Sequence, residues 1–251
     1  MLMLHHAREV SRDELSRIPT PAGTESWRPV PHIEVVEAVA AKARERGLSI
    51  SSERYAVMAG SMDNGSGERV EVPGAKLFGS LDFSPMPGIE FPPGCVPSAG
   101  LRNSHDKSFA LSILGGARVL VCANGVLSAE HVVSRKHTSG IDLGRAVEAA
   151  LGAFMDGIGE FRSTYEKLRS RSVSRWEGHS LIVDMARAGA FASCDILPVA
   201  AEWESPRHEE FRERNAWCLY QACTEVMKKQ SPARQLEGLR ALNAVLAASN
   251  N

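Results

Sequence analysis

The chain has 251 residues, of which 43% are hydrophobic and 24% charged, and its formal net charge is -1. That is enough chain for one large domain or two small ones with a proper core. The near-zero charge excludes a global pull on nucleic acid or membrane, so any polyanion binding needs a local basic patch. Five cysteines, with no CxxC pair among them, argue against a disulfide framework or zinc knuckle and for a reducing cytoplasm. No run approaches the ~18 apolar residues of a membrane helix, so no membrane partner is expected.

Residues 1–31 read as an N-terminal arm. Ser11 with Glu14 three positions on is a capping-box pattern and predicts a short helix over 11–18. The following PTPAGTESWRPVPH carries several prolines around Trp27 and Arg28 and must run extended. From Ile33 to Arg46, the spacing of Ile33, Val36, Val39, Ala40 and Ala43 predicts a helix, with Gly47 as its stop.

The texture then turns to β. A strand is predicted over 48–58 with Tyr55 and Val57 on one face, and GSMDNGSG reads as a polar turn. A short strand is expected at 70–72. Another spans 75–83, with Leu77, Gly79, Leu81 and Phe83 on one side. Residues 85–97 hold five prolines and read as a loop. A β-meander is then predicted: a strand over 107–114, a tight turn at Gly115-Gly116, an apolar strand over 117–123, an Asn124-Gly125 turn, and a strand over 126–133.

Beyond Gly140 the chain becomes helical. A long helix is predicted over 141–170, with Val147, Leu151, Phe154, Ile158, Phe161, Tyr165 and Leu168 along one stripe. Gly152, Gly157 and Gly159 within it call for a close helix–sheet contact or a kink. Further helices are expected at 179–190, 211–229 and 232–248. Strands segregated from helices give an α+β fold: a mainly antiparallel sheet of about five strands, a preceding helix, a long helix packed on the sheet, and a C-terminal helical region. The corresponding units are the arm 1–31, an α+β core 32–170, and the helical region 171–251, which either stands apart or packs on the core.

Two polar clusters bracket the meander, one at 102–107 (RNSHDK) and one at 135–137 (RKH). The basic residues Arg102, Lys107, Arg135, Lys136 and His137, with Arg169 at the end of the long helix, suit phosphate. Tyr165 and Trp176 are interleaved with the later basic residues and could stack on unpaired bases. This set predicts a nucleic-acid partner, single-stranded DNA above all. The alternative is a metal-assisted phosphodiesterase using His105 and Asp106 with His131 or His137, although adjacent strand residues point to opposite faces and no spacing matches a standard zinc pattern. A third reading is an oligomeric protein-interaction or anti-defence factor, using the 85–97 loop and the arm as contacts. Cys122 sits in an apolar run and reads as core. No catalytic set, resident metal or cofactor is assigned.

The segments WRPVPH, FGSLDF, RNSHDKSFALSILGGARVLVCANG and NAWCLYQACTE together resemble the bacterial "phage/plasmid-like" proteins, the family catalogued as domain of unknown function 932, from about Trp27 to about Glu225. The resemblance implies a setting on mobile elements and assigns no activity and no site residues. Strands followed by a long basic helix are also similar, as a fold-level analogy, to the annealase domains of phage recombination proteins, which hold single-stranded DNA in a groove and assemble as rings or filaments.

Overall fold

The structure is a computed structural model that describes residues 7–63, 66–84, 94–119, 125–138, 140–230 and 232–248. Six strands form one sheet in the order of the chain, every neighbouring pair antiparallel: β1 (Arg8–Val10), β2 (Ile50–Asp63), β3 (Arg69–Phe83), β4 (Cys95–Ser104), β5 (Leu111–Val119) and β6 (Gly125–Arg135). Seven helices appear among the described residues: α1 (Arg12–Ser16), α2 (His32–Glu45), α3 (Leu143–Ser170), α4 (Arg175–Arg187), α5 (Ile196–Glu204), α6 (Ala216–Met227) and α7 (Pro232–Ala248). The fold is α+β, as the segregation of strands and helices predicts. No helix among the described residues is long and apolar enough to cross a membrane.

The local signals act where the sequence places them. Ser11 accepts from the Glu14 amide while the Glu14 carboxylate accepts from the Ser11 amide, which closes the capping box of α1. Register sets the faces of the sheet. Tyr55, Gly79, Leu101, Ile113 and Val133 form one cross-strand row, and Ala56, Phe78, Arg102, Ser112 and Ser134 form the next. The first row belongs to the face that receives Val36, Val39 and Ala43 of α2 and Val147, Leu151, Phe154 and Ile158 of α3. Each of the larger side chains in that seam contributes about 1.5–3 kcal/mol on burial. The opposite face carries Arg54, Lys76, Asp82, Ser98, Arg102 and Ser112 beside the buried Ala56 and Phe78, and none of these side chains joins the apolar clusters of the described residues.

Helix α3 belongs to two cores. Its first half packs on the sheet, and Tyr165 and Leu168 of its second half join the cluster built by α4, α5, α6 and α7. Cys95, at the start of β4, is also in that second cluster.

Three expectations need correction. The expected sheet of about five strands has six, one of which, β1, comes from residues 8–10 of the supposed arm pairing with β2. Strand β4 begins at Cys95 and occupies residues assigned to the 85–97 loop and the polar cluster after it; residues 85–93 lie outside the described residues. Gly115-Gly116 is not a turn, since β5 runs through it. A Cβ on Gly115 would come within 2.8 Å of the Phe154 Cβ, so its missing side chain lets α3 seat on the sheet. The close helix–sheet contact expected of α3's own glycines is thus made by a glycine of the strand. The Asn124 turn and Cys122 lie outside the described residues.

Candidate functional site

The two polar clusters of the sequence meet at one end of the sheet. β4 ends at Ser104, residues 105–110 loop over, and β5 starts at Leu111, which pairs with Arg135 at the end of β6. The chain leaving β6 turns back along the N-terminal segment. Trp27 bridges to Thr138, and the Arg28 amide donates to the His137 carbonyl. The 105–110 loop is held by Ser104, whose hydroxyl donates to the Phe109 carbonyl and accepts from the Phe109 amide.

Behind this end lies a buried knot of three histidines and an asparagine. His32, Asn103 and His105 are at most 1% exposed, and His137 is 5% exposed. The His32 and His105 rings stack with centroids 3.8 Å apart and planes 4° from parallel. His32 Nε2 donates to the Gly74 carbonyl at 2.9 Å, so its neutral ring accepts from Asn103 Nδ2 at Nδ1. Asn103 Nδ2 and His105 Nε2 both donate to the Val30 carbonyl, at 2.8 and 2.9 Å. The Val30 amide donates to His137 Nδ1 at 3.3 Å. One residue of the proline-rich segment is thereby clasped on both backbone groups. Asn103 Oδ1, His105 Nδ1 and His137 Nε2 are buried without a hydrogen-bond partner among the described residues.

Burial pushes all three histidines toward the neutral form. It carries His32 down to about 3, with the adjacent His105 adding to the effect. Burial likewise lowers His105, against the pull of the Val30 carbonyl, the Asp106 charge and the Pro19 carbonyl. His137 is lowered by burial and by His105. A neutral, buried histidine knot of this kind clasps the proline-rich segment to the sheet.

Asp106 leaves in the opposite direction from His105. Its side chain is 3% exposed and pairs with Lys76 Nζ at 3.4 Å. It also accepts from the Ser108 amide at 3.1 Å and the Ser108 hydroxyl at 2.5 Å. A Cβ on Gly60 would overlap the Asp106 carboxylate, so glycine there makes its approach possible. Lys107 between them has φ +62°, and its ammonium stands 4.7 Å from the centre of the Trp27 ring. His105 and Asp106 are therefore not brought together, His137 joins His105 inside the knot, and the His131 side chain lies outside the described ones. Among the described residues, no group of three or more His, Cys, Asp or Glu side chains is arranged to hold a metal ion.

The basic residues separate by whether they have a counter-charge. Arg162 pairs with Glu166, Arg171 with Glu177 and Arg175 with Glu204, at 2.7–3.0 Å. Arg169 donates to the Tyr165 hydroxyl at 2.8 Å and lies 4.0 Å from Glu213. At the sheet end, by contrast, Arg102, Lys107, Arg135 and Lys136 have no ion pair with any described residue. Arg102 is half-buried with its guanidinium 5.5 Å from the centre of the Phe109 ring, its Nε has no hydrogen-bond partner, and burial lowers its pKa. Arg135 Nη1 reaches only its neighbour's carbonyl, that of Ser134.

Two members of the predicted nucleic-acid set therefore need reassignment. His137 faces the interior of the knot. Tyr165 is 7% exposed, edge-on to Trp217, and works as core. Trp176 is 73% exposed on α4, where its ring meets the Arg175 guanidinium at 5.6 Å and the His179 ring edge-on. The sequence reading missed His32, Val30 and Asn103 of the knot and Gly60, Arg69 and Lys76 beside Asp106. His32 after Pro31 looked like an ordinary helix start, and pairing between β3 and β4 cannot be seen along the chain.

The family model described as Domain of unknown function (DUF932) matches residues 97–247, more than half of the chain. The chain belongs to this family. The match takes in β4, β5, β6 and the helices from α3 to almost the end of α7, so Arg102, the 105–110 loop and the Arg135–Lys136 pair all fall within it. No curated protein and no solved structure matches the chain.

Proposed function

We propose that this protein binds single-stranded nucleic acid at the end of its sheet, with Arg102, Lys107, Arg135 and Lys136 on the phosphates. The observation that carries the reading is the asymmetry of charge pairing. Arg162, Arg171, Arg175, Arg207 and Arg234 of the helical half pair with glutamates, and the helical arginines without an ion pair, Arg145 and Arg187, are exposed. These four cations instead gather at one end of the sheet, one of them half-buried, with no carboxylate partner among the described residues. An uncompensated arginine held half-buried against a phenylalanine is costly to keep unless an anion completes it. β4 and β6 are separated by one strand, so the backbones of Arg102 and Arg135 lie roughly 10 Å apart. They stand on successive rows of the register, which face opposite sides of the sheet, so a flexible strand that meets both passes around this end of it. A mobile-element setting, which the family resemblance implies, would supply displaced or annealing strands for such a surface.

The test is fluorescence anisotropy of a labelled oligothymidylate across a salt series. Binding falls steeply with salt, because released counterions drive it. Arg102→Ala weakens it and lowers the salt slope by roughly one phosphate contact, about 0.7 in log–log units for a single strand, while Arg162→Ala leaves both unchanged. Absence of binding at low salt, or affinity indifferent to salt, overturns the reading.

A further inference from the structure

Next to Lys107, the β2–β3 ribbon and the 105–110 loop enclose an open cleft of about 590 Å³, lined by Gly60, Ser61, Arg69, Glu71, Lys76 and the Asp106–Ser108 turn. Its charges are unequal in reach. The Asp106 carboxylate is buried and already holds Lys76 and both donors of Ser108, so it presents little charge to the cleft. Arg69 and Lys107 are exposed and without an ion pair among the described residues; of the exposed acids, Glu71 lines the cleft with them and Asp63 stands opposite Arg69 in the strand register. The Ser61 hydroxyl is exposed on the same wall. A fork-shaped guanidinium, a flexible ammonium and a hydroxyl around a cavity of this size are the donor set for a compact, doubly charged oxyanion carrying an organic group.

We propose that this cleft is a binding site for a phosphate monoester, with Arg69 and Lys107 as its cationic ligands. Two sources carry that chemistry: the phosphorylated end of a strand held at the neighbouring cations, which rests on the reading above, and a free nucleoside monophosphate, which does not. Lys107 joins the two surfaces, because it lines the cleft and also belongs to the sheet-end group. Its left-handed backbone, φ +62°, sets its side chain over Trp27 rather than along the strand. Glu71 opposes the anion, so neutralising it must strengthen binding.

The experiment has two arms. In the first, oligothymidylates of one length ending in a 5′-phosphate, a 3′-phosphate or hydroxyls are compared by anisotropy. In the second, AMP and adenosine are titrated by calorimetry. One phosphorylated end binding at least about fivefold tighter than the hydroxyl-ended strand supports the strand source. The advantage is lost in Arg69→Ala and enlarged in Glu71→Gln, and the hydroxyl-ended affinity of Arg69→Ala is unchanged. AMP binding tighter than adenosine, in an Arg69-dependent way, supports the free-nucleotide source even if no strand binds at all, which separates this site from the strand reading. Equal affinity for all three strand ends together with no preference for AMP over adenosine overturns the proposal, whether or not strands bind. Arg69 and Glu71 are exposed on a strand edge, so both variants fold.

Discussion

Acidification should unclasp the histidine knot, and its cost can be worked from His32. Its pKa is held down from 6.5 to about 3 by burial and by the stacked His105 ring. Between those values the unfolded chain carries a proton at this position that the folded chain refuses. The knot's contribution is therefore complete above the unfolded pKa and is lost as pH falls from there toward the folded value. Lowering the pH from about 7.5 to about 5 covers roughly 1.5 pH units of that window, so His32 alone costs about 2 kcal/mol of stability. His105 and His137 are shifted in the same direction and add to the loss. Urea denaturation at the two pH values, for the wild type and for His32→Gln, isolates the effect. Glutamine retains a donor for the Gly74 carbonyl but cannot titrate. The wild type should lose about 2 kcal/mol more than the variant on acidification. An equal loss in both proteins, or a wild type that gains stability in acid, refutes the reasoning. Hydrogen exchange should locate the loss, with the Val30 amide, bonded to His137, losing protection before the β3–β4 ladder does.

Three more outcomes follow from the same geometry. Gly115→Ala sets a methyl against the backbone and ring of Phe154 and should cost about 1–3 kcal/mol by thermal unfolding, where a turn glycine replaced without strain would cost far less. Gly60→Ala should displace the Asp106 carboxylate from Lys76. Its destabilisation, about 1–2 kcal/mol, should shrink in the Asp106→Ala background, and additive losses would show that the two positions are uncoupled. Asn103→Leu removes both donors to Val30 and His32 and leaves buried acceptors behind, so it should cost at least about 2 kcal/mol in urea, while exposed Lys136→Ala should leave stability within about 0.5 kcal/mol.

Much of the architecture could be read from the chain because it is written in local chemistry. The capping box at Ser11 and Glu14, the apolar stripe from Val147 to Leu168, and the alternation of Leu77, Leu81 and Phe83 each act over a few residues. The candidate site was half legible for the same reason. Arg102, Lys107, Arg135 and Lys136 stood out as two basic clusters flanking a meander, and the structure brings both clusters to one end of the sheet. The errors arose where a short-range signal had a long-range cause. Gly115-Gly116 has the look of a turn, yet the demand for glycine comes from Phe154, about forty residues later. Val96, Pro97 and Ser98 follow a proline-rich run, yet they pair with Arg118, Ala117 and Gly116 across the sheet.

The sequence alone determined the fold class, the order of strands before helices, the family and the balance of charge. The family followed from the resemblance of particular segments, and the rest from periodicity, turn and cap chemistry and composition, none of which needs a distant partner. Only the tertiary structure decided what each polar residue is for. Three histidines of similar appearance, spread from position 32 to position 137, became one neutral clasp because register and burial removed them from water. Neighbouring His105 and Asp106 were sent to opposite sides of one loop. The same tertiary accounting paired Arg175 with Glu204, distant along the chain, and left Arg102 and Arg135 without a carboxylate among the described residues, since such partnership depends on proximity in space.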